Sequence, residues 1–273
     1  MSPVPFSQLF SQLTPKGGTD AGTYSANITP DWLQGRAGFG GLLAALSVSA
    51  LRREVGDERP LRALMTAFVG PAAVGEVDIT TQTLRSGKSV TWTDARVFQR
   101  DQVCTSVSAC FGGSRESSID IPVADRPEAK SPEESLPFPY LSGLTPEFIQ
   151  HFEMRWAFGG QPFSGSKESE MGVWVKFREE GPITESHLIT FMDLLPPAVL
   201  QMQSDLKPIS TLTWHLEILD DLTAEDARDG EGWWFVHVYA RGAANGYSQQ
   251  NATLYTPTGR ALAMSQQSIA VFA

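Results

Sequence analysis

The chain has 273 residues, 41% hydrophobic and 19% charged, a balance that suits an ordinary globular protein of two domains or one large one. Its formal net charge of −10 argues against a nucleic-acid backbone or an anionic membrane surface as partner, and the few Lys and Arg residues form no basic patch. Two cysteines, no Cys/His spacing of a zinc site, no signal peptide in MSPVPFSQLF and no run of about eighteen apolar residues lead to the expectation of a cytoplasmic protein without a metal.

Residues 1–30 are rich in Pro, Gly, Ser and Thr and hold one strand-like run at 23–28, closed by the turn signal Thr29-Pro30-Asp31. The stretch that organises the chain follows. Gly35, Gly38, Gly40 and Gly41 lead into LLAALSVSALRREVG, whose apolar residues recur at helical spacing. This predicts a buried helix ending near Gly56. Its first turn has little side chain over the backbone, so its unpaired N–H groups are open to a ligand oxygen. Four strands are expected next, at 61–69, 76–84, 90–98 and 103–111. Arg85-Ser86-Gly87-Lys88 and Gln99-Arg100-Asp101 supply turns. Cys104 and Cys110 fall on one strand, roughly 20 Å apart along it, too far to bridge.

Residues 114–143 show no periodicity and many prolines, which reads as a solvated linker. Strands are expected at 147–158 and 171–178, joined by the Gly/Ser-rich loop 159–167. A second long apolar helix is expected at 184–202, interrupted by Pro196-Pro197, with Thr184 as its N-cap. Four more strands follow at 209–219, 233–241, 246–255 and 260–272. The two halves thus share one plan: strand, long helix, four antiparallel strands. A helix apolar on most sides must be wrapped, and a curled sheet does this. The expected fold class is therefore α+β, a double hotdog with two long helices, each wrapped by a curved antiparallel sheet. Its parts are an N-terminal hotdog at 1–113, a linker at 114–143 and a C-terminal hotdog at 144–273.

The residues carry a more specific likeness. GFGGLLAAL, LRALMTAFVGP and TLRSGKSVTWTDARVFQRD in the first half resemble the type II acyl-CoA thioesterase (TesB-like) family. So do FMDLLPPAVL and LYTPTGRALAMSQQSIAVF in the second. In that family a helix begins at a Phe-Gly-Gly, here Phe39-Gly40-Gly41, and a strand ends in a Leu-Arg-X-Gly-X-Ser turn, here closing on Ser89. The resemblance implies hydrolysis of an acyl-CoA substrate without cofactor or covalent intermediate. Phe39, Gly40, Gly41 and Ser89 are then the substrate-binding residues, and the helix-start amides polarise the thioester carbonyl. It also implies self-association into a homo-oligomer.

The family's water-holding trio is an Asp, a Thr or Ser, and a Gln. Carried over, the Gln falls on Gln267, with Gln266 beside it. The Thr falls near Tyr239, and the Asp position falls on Thr211, a departure because Thr cannot act as a general base. Asp193 is the other candidate, a lone acid on an apolar helical run, where such a group needs a partner. His215 and Glu217 share a strand face with Thr211 and Thr213 and read as surface, and Glu185 reads as a residue favouring its helix dipole. Since the Asp position holds a Thr, the alternative function is a non-hydrolytic binder of acyl-CoA or a small apolar ligand on the same fold.

Overall fold

The structure is a computed structural model that describes residues 3–17, 22–123, 125–228 and 232–272. The chain separates into two compact units. The first takes in the residues up to Val123 with Tyr140–His151 and Glu185–Thr190. The second takes in the residues from 124 to Pro139, Phe152–Thr184 and those from Phe191 onward.

The elements of the first half are, in order, α1 (Phe6–Ser11), β1 (Thr14–Pro15), β2 (Thr23–Ile28), a 3-10 turn (Pro30–Trp32), β3 (Leu33–Gln34), β4 (Ala37–Gly38), α2 (Gly40–Val55), β5 (Leu61–Phe68), β6 (Gly75–Ser86), β7 (Val90–Gln99) and β8 (Gln102–Gly112). In the first unit β1, β2, β6, β7, β8 and β5 form an antiparallel sheet in that order. Helix α2 lies against β6, β7 and β8. Its residues from Gly41 to Val48, with Ala50 and Leu51, are buried, as an all-round apolar helix requires. The hydroxyl of buried Ser47 is satisfied within the helix, donating to the Leu43 carbonyl at 2.8 Å. The helix stops at Gly56, whose φ of 75° suits a residue without a Cβ and whose N–H closes on the Arg52 carbonyl.

Arg52, in the last turn of α2, ties this end together. It donates from Nε to Glu185 Oε1 at 3.0 Å and from Nη2 to Oε2 at 2.5 Å, and from Nη1 to the carbonyls of Gly56 and Arg59. Glu185 also accepts the Leu61 N–H, so it is a structural clamp rather than only a dipole partner. The short α1 went unforeseen. It buries Phe6 and Leu9, with the Phe6 ring 5.5 Å from that of Trp32.

The second half comprises β9 (Leu136–Pro137), a 3-10 turn (Glu147–His151), β10 (Phe152–Phe158), β11 (Glu170–Phe177), α3 (Glu185–Leu194), a 3-10 helix (Ala198–Met202), β12 (Ile209–Ile218), α4 (Ala224–Arg228), β13 (Trp234–Ala244), β14 (Tyr247–Tyr255) and β15 (Ala261–Val271). In the second unit the sheet order is β12, β15, β14, β13, β11, β10, β9, all antiparallel. Phe191 of α3 meets Phe177 at 5.0 Å and Trp234 at 5.8 Å between ring centroids, at the heart of its core.

Three expectations are corrected here. The second helix is shorter than expected: α3 runs ten residues and stops before Pro196-Pro197, after which the chain resumes as a 3-10 helix. Two prolines remove two N–H donors and clash with the preceding turn, so a continuous helix cannot pass. The expected strand at 147–158 begins only at Phe152. Residues Glu147–His151 form a 3-10 turn after Pro146, whose carbonyl accepts the Ile149 N–H.

The supposed linker is not simply solvated either. β9 pairs with β10, the Lys130 carbonyl accepts the Trp174 Nε1–H at 2.8 Å, and the Arg126 guanidinium sits 4.6 Å over the Trp174 ring. These residues cover an apolar patch of Ala157, Trp174, Phe235 and Tyr255 on the sheet's other face. Gly172 is required beneath that patch, because a Cβ there would collide with the rings of Phe158 and Phe235.

Candidate active site

The double proline that breaks the second helix creates a donor. Ala198 opens the 3-10 helix after Pro197, and its N–H has no acceptor earlier in that helix. It donates instead to Gln250 Oε1 at 2.8 Å. Gln250 Nε2 donates to Gln267 Oε1 at 2.7 Å, and Gln267 Nε2 donates to Asp193 Oδ1 at 2.8 Å. Both glutamines are 4% exposed. A buried polar group left without a partner costs about 1–3 kcal/mol, so the burial enforces the pairing.

The chain of bonds has one direction. A backbone N–H can only donate, so Gln250 must turn its oxygen to Ala198 and its nitrogen to Gln267. Gln267 must then turn its own nitrogen to Asp193. Asp193, in the last turn of α3, accepts that donor at Oδ1.

Pairing on the sheet explains why these side chains meet. Gln250 on β14 is the cross-strand partner of Gln267 on β15, and Trp214 on β12 is Gln267's partner on the other side. Directly paired residues share a face. Alternation along β12 should carry Thr211 to the face of His215, as the sequence reading had it. A bulge between Thr211 and Thr213 inserts one residue, leaving Thr211 opposite Ile269 and on the face of Trp214 and Gln267. His215 and Glu217, 3.4 Å apart and nearly half exposed, stay on the outer face.

The remaining expected residues lie elsewhere. Tyr239 pairs with Asn251, the neighbour of Gln250, and so faces away from Gln267 on the opposite side of the sheet. There it sits 5.5 Å from the ring of His237, whose Nε2 is 2.6 Å from Glu170 Oε1. Gln266, the register alternative to Gln267, is exposed.

Phe39, Gly40, Gly41 and Ser89 belong to the first unit. The Phe39 ring is fully buried and stacks on Phe148 at 4.0 Å, so the core holds it. Its N–H is used by the Trp32 carbonyl and its carbonyl accepts the Leu43 N–H. Helix geometry alone gives the amides of Gly40, Gly41 and Leu42 no acceptor within α2. Ser89 is exposed in the β6–β7 hairpin.

Gln250 was missed by sequence reasoning. Its signal was available: a Gln alternating with buried Ser248, Ala252 and Leu254 along β14. Among the described residues no His/Cys/Asp/Glu group could hold a metal ion, and no helix is long and apolar enough to cross a membrane.

No curated protein sequence matches the chain. Similar solved structures include a conserved protein of Alicyclobacillus acidocaldarius with a hot dog fold, 23% identical, covering 97% of this chain and 98% of that one with a TM-score of 0.85. The tesB protein of Mycobacterium avium subspecies paratuberculosis is 14% identical, with 98% of each chain covered and a TM-score of 0.78. An acyl-CoA thioesterase II, TesB2, of Mycobacterium marinum is 15% identical, covering 96% and 98% with a TM-score of 0.73. These likenesses establish a hotdog-type fold. The family model of the acyl-CoA thioesterase N-terminal domain matches residues 28–112, and that of the C-terminal domain matches residues 127–271. The second match spans Asp193, Thr211, Gln250 and Gln267, and the chain belongs to the acyl-CoA thioesterase family.

Proposed function

We propose that the protein hydrolyses acyl-CoA thioesters with water activated by Asp193, on a double hotdog in which each unit is one hotdog. The observation that carries this reading is the hydrogen bond from Gln267 to Asp193, which sets a carboxylate inside a family of thioester hydrolases. In the proposed reaction Asp193 takes a proton from water as the oxygen attacks the thioester carbonyl carbon. The tetrahedral intermediate collapses, the C–S bond breaks, and the proton passes to the departing CoA thiolate, leaving free acid and CoA. Gln267 holds the carboxylate in place. The Thr211 hydroxyl, on the same sheet face, is a second group able to bind the water.

The motive for a purely ligand-binding reading was the want of an acid at Thr211. Asp193 supplies one from the helix, and Thr211 is then free to serve as the hydroxyl of the trio. The test is release of free thiol by the wild-type chain from short, medium, long and aromatic acyl-CoAs. Turnover of at least one class supports the reading. No release from any, with a ligand-dependent rise in melting temperature, would replace it with the binder.

A further inference from the structure

We infer that Gln250 is a positioning residue for the reaction, acting through Gln267 on Asp193; this rests on reading Asp193 as the base. Three facts carry it. Gln250 is buried and touches Gln267 directly, at 2.7 Å. Its own orientation is fixed by a backbone donor, the Ala198 N–H, which cannot reverse its role. Without that anchor a glutamine amide has two orientations related by a half-turn, and the buried Gln267 could present either its oxygen or its nitrogen to Asp193. An oxygen facing the carboxylate would push it away.

Gln250 thus selects the productive orientation of its neighbour. The Pro196-Pro197 break, by releasing the Ala198 N–H, is the structural root of that selection. The device spans α3, the 3-10 helix, β14 and β15, so it holds the end of the broken helix in register with the sheet beside it.

The test uses Gln250→Leu, Gln267→Leu and the double variant of the full chain. Two readouts are taken: kcat and KM for thiol release, and the side-chain amide signals of Gln267 in a nitrogen–proton spectrum, assigned by their loss in Gln267→Leu. Gln250→Leu should lower kcat about tenfold or more while KM stays within about twofold. The double variant should be no slower than Gln267→Leu alone, since one residue works through the other. The Gln267 amide signals should shift in Gln250→Leu.

If Gln250→Leu does not fold, Gln250→Glu serves. It keeps an acceptor for Ala198 but turns a second acceptor toward Gln267, and it should shift the same signals and lower kcat. An unchanged kcat, losses that multiply in the double variant, or unmoved Gln267 signals would each overturn the inference. A wild type that cleaves no acyl-CoA would defeat the hydrolase reading, and the amide signals would still decide whether Gln250 orients Gln267.

Discussion

Gln267 reaches from β15 to Asp193 on α3 and donates its amide to the carboxylate at 2.8 Å. The bond joins a residue expected from the family pattern to one singled out only as an acid stranded on an apolar helix. It turns two separate candidates into one arrangement, and the predictions about activity start from it.

Gln267→Ala removes the donor to Asp193 and the acceptor of Gln250 together. Turnover should fall by more than tenfold, and stability should drop by about 1–3 kcal/mol because the buried Gln250 and the part-buried Asp193 each lose a partner. Thiol release and denaturant melts of the same preparation check both. Unchanged turnover would remove Gln267 from the site.

Glu185→Ala should destabilise without reference to chemistry. It strips two hydrogen bonds from a partly buried Arg52 and the acceptor from the Leu61 N–H. The expected loss is about 1–3 kcal/mol, read as a lower denaturant midpoint, with Glu185→Gln losing less because it keeps an acceptor. Equal stability of all three proteins would show the clamp to be worth little.

Cys104 and Cys110 are buried on β8, and burial pushes both thiols above their ordinary range. Both should be slow toward a disulfide reagent at pH 8 in the native protein, and two thiols should appear on denaturation. The same property keeps the protein's own thiols out of a CoA-release assay. Rapid native labelling of either cysteine would contradict the packing of β8.

Tyr24 titrates high, pushed up to about 12 first by burial and then by its hydrogen bond to Glu54. The unfolded chain loses this proton near pH 10, so its contribution is intact below about pH 10 and is lost as pH rises toward 12. Stability measured across that window should fall less steeply in Tyr24→Phe, by up to one proton's worth of slope. A Tyr24 phenolate signal appearing near pH 10 in the folded protein would refute it.

Much of this architecture could be read from the residues. A glycine-led apolar run fixed α2 and its end at Gly56, and alternation fixed most of the long strands to within a residue or two, while β13 runs three residues past its expected end and β10 starts five residues late. What failed depends on single local events. Pro196-Pro197 was read as an interruption of one long helix, whereas α3 ends at Leu194 and the chain resumes only as a short 3-10 helix. The bulge at Leu212 cannot be read from alternation, since it is the point where alternation breaks, and it decides the face on which Thr211 lies. The packing of residues 125–139 rests on backbone carbonyls meeting Trp174 and Tyr255, a use of main chain that composition does not reveal. Asp193 was visible as an oddity, an acid with apolar neighbours, but its partner lies 74 positions away on β15.

Replacing Asp193 by Asn tests the central claim most directly, because Asn keeps the size and the oxygen that accepts from Gln267 but cannot take a proton at neutral pH. The measurement is kcat/KM for thiol release from the best acyl-CoA, beside a thermal melt. The account predicts a fall of about 10²–10⁴ with the fold and melting temperature kept. An Asn variant that stays folded and turns over within about threefold of wild type would contradict it.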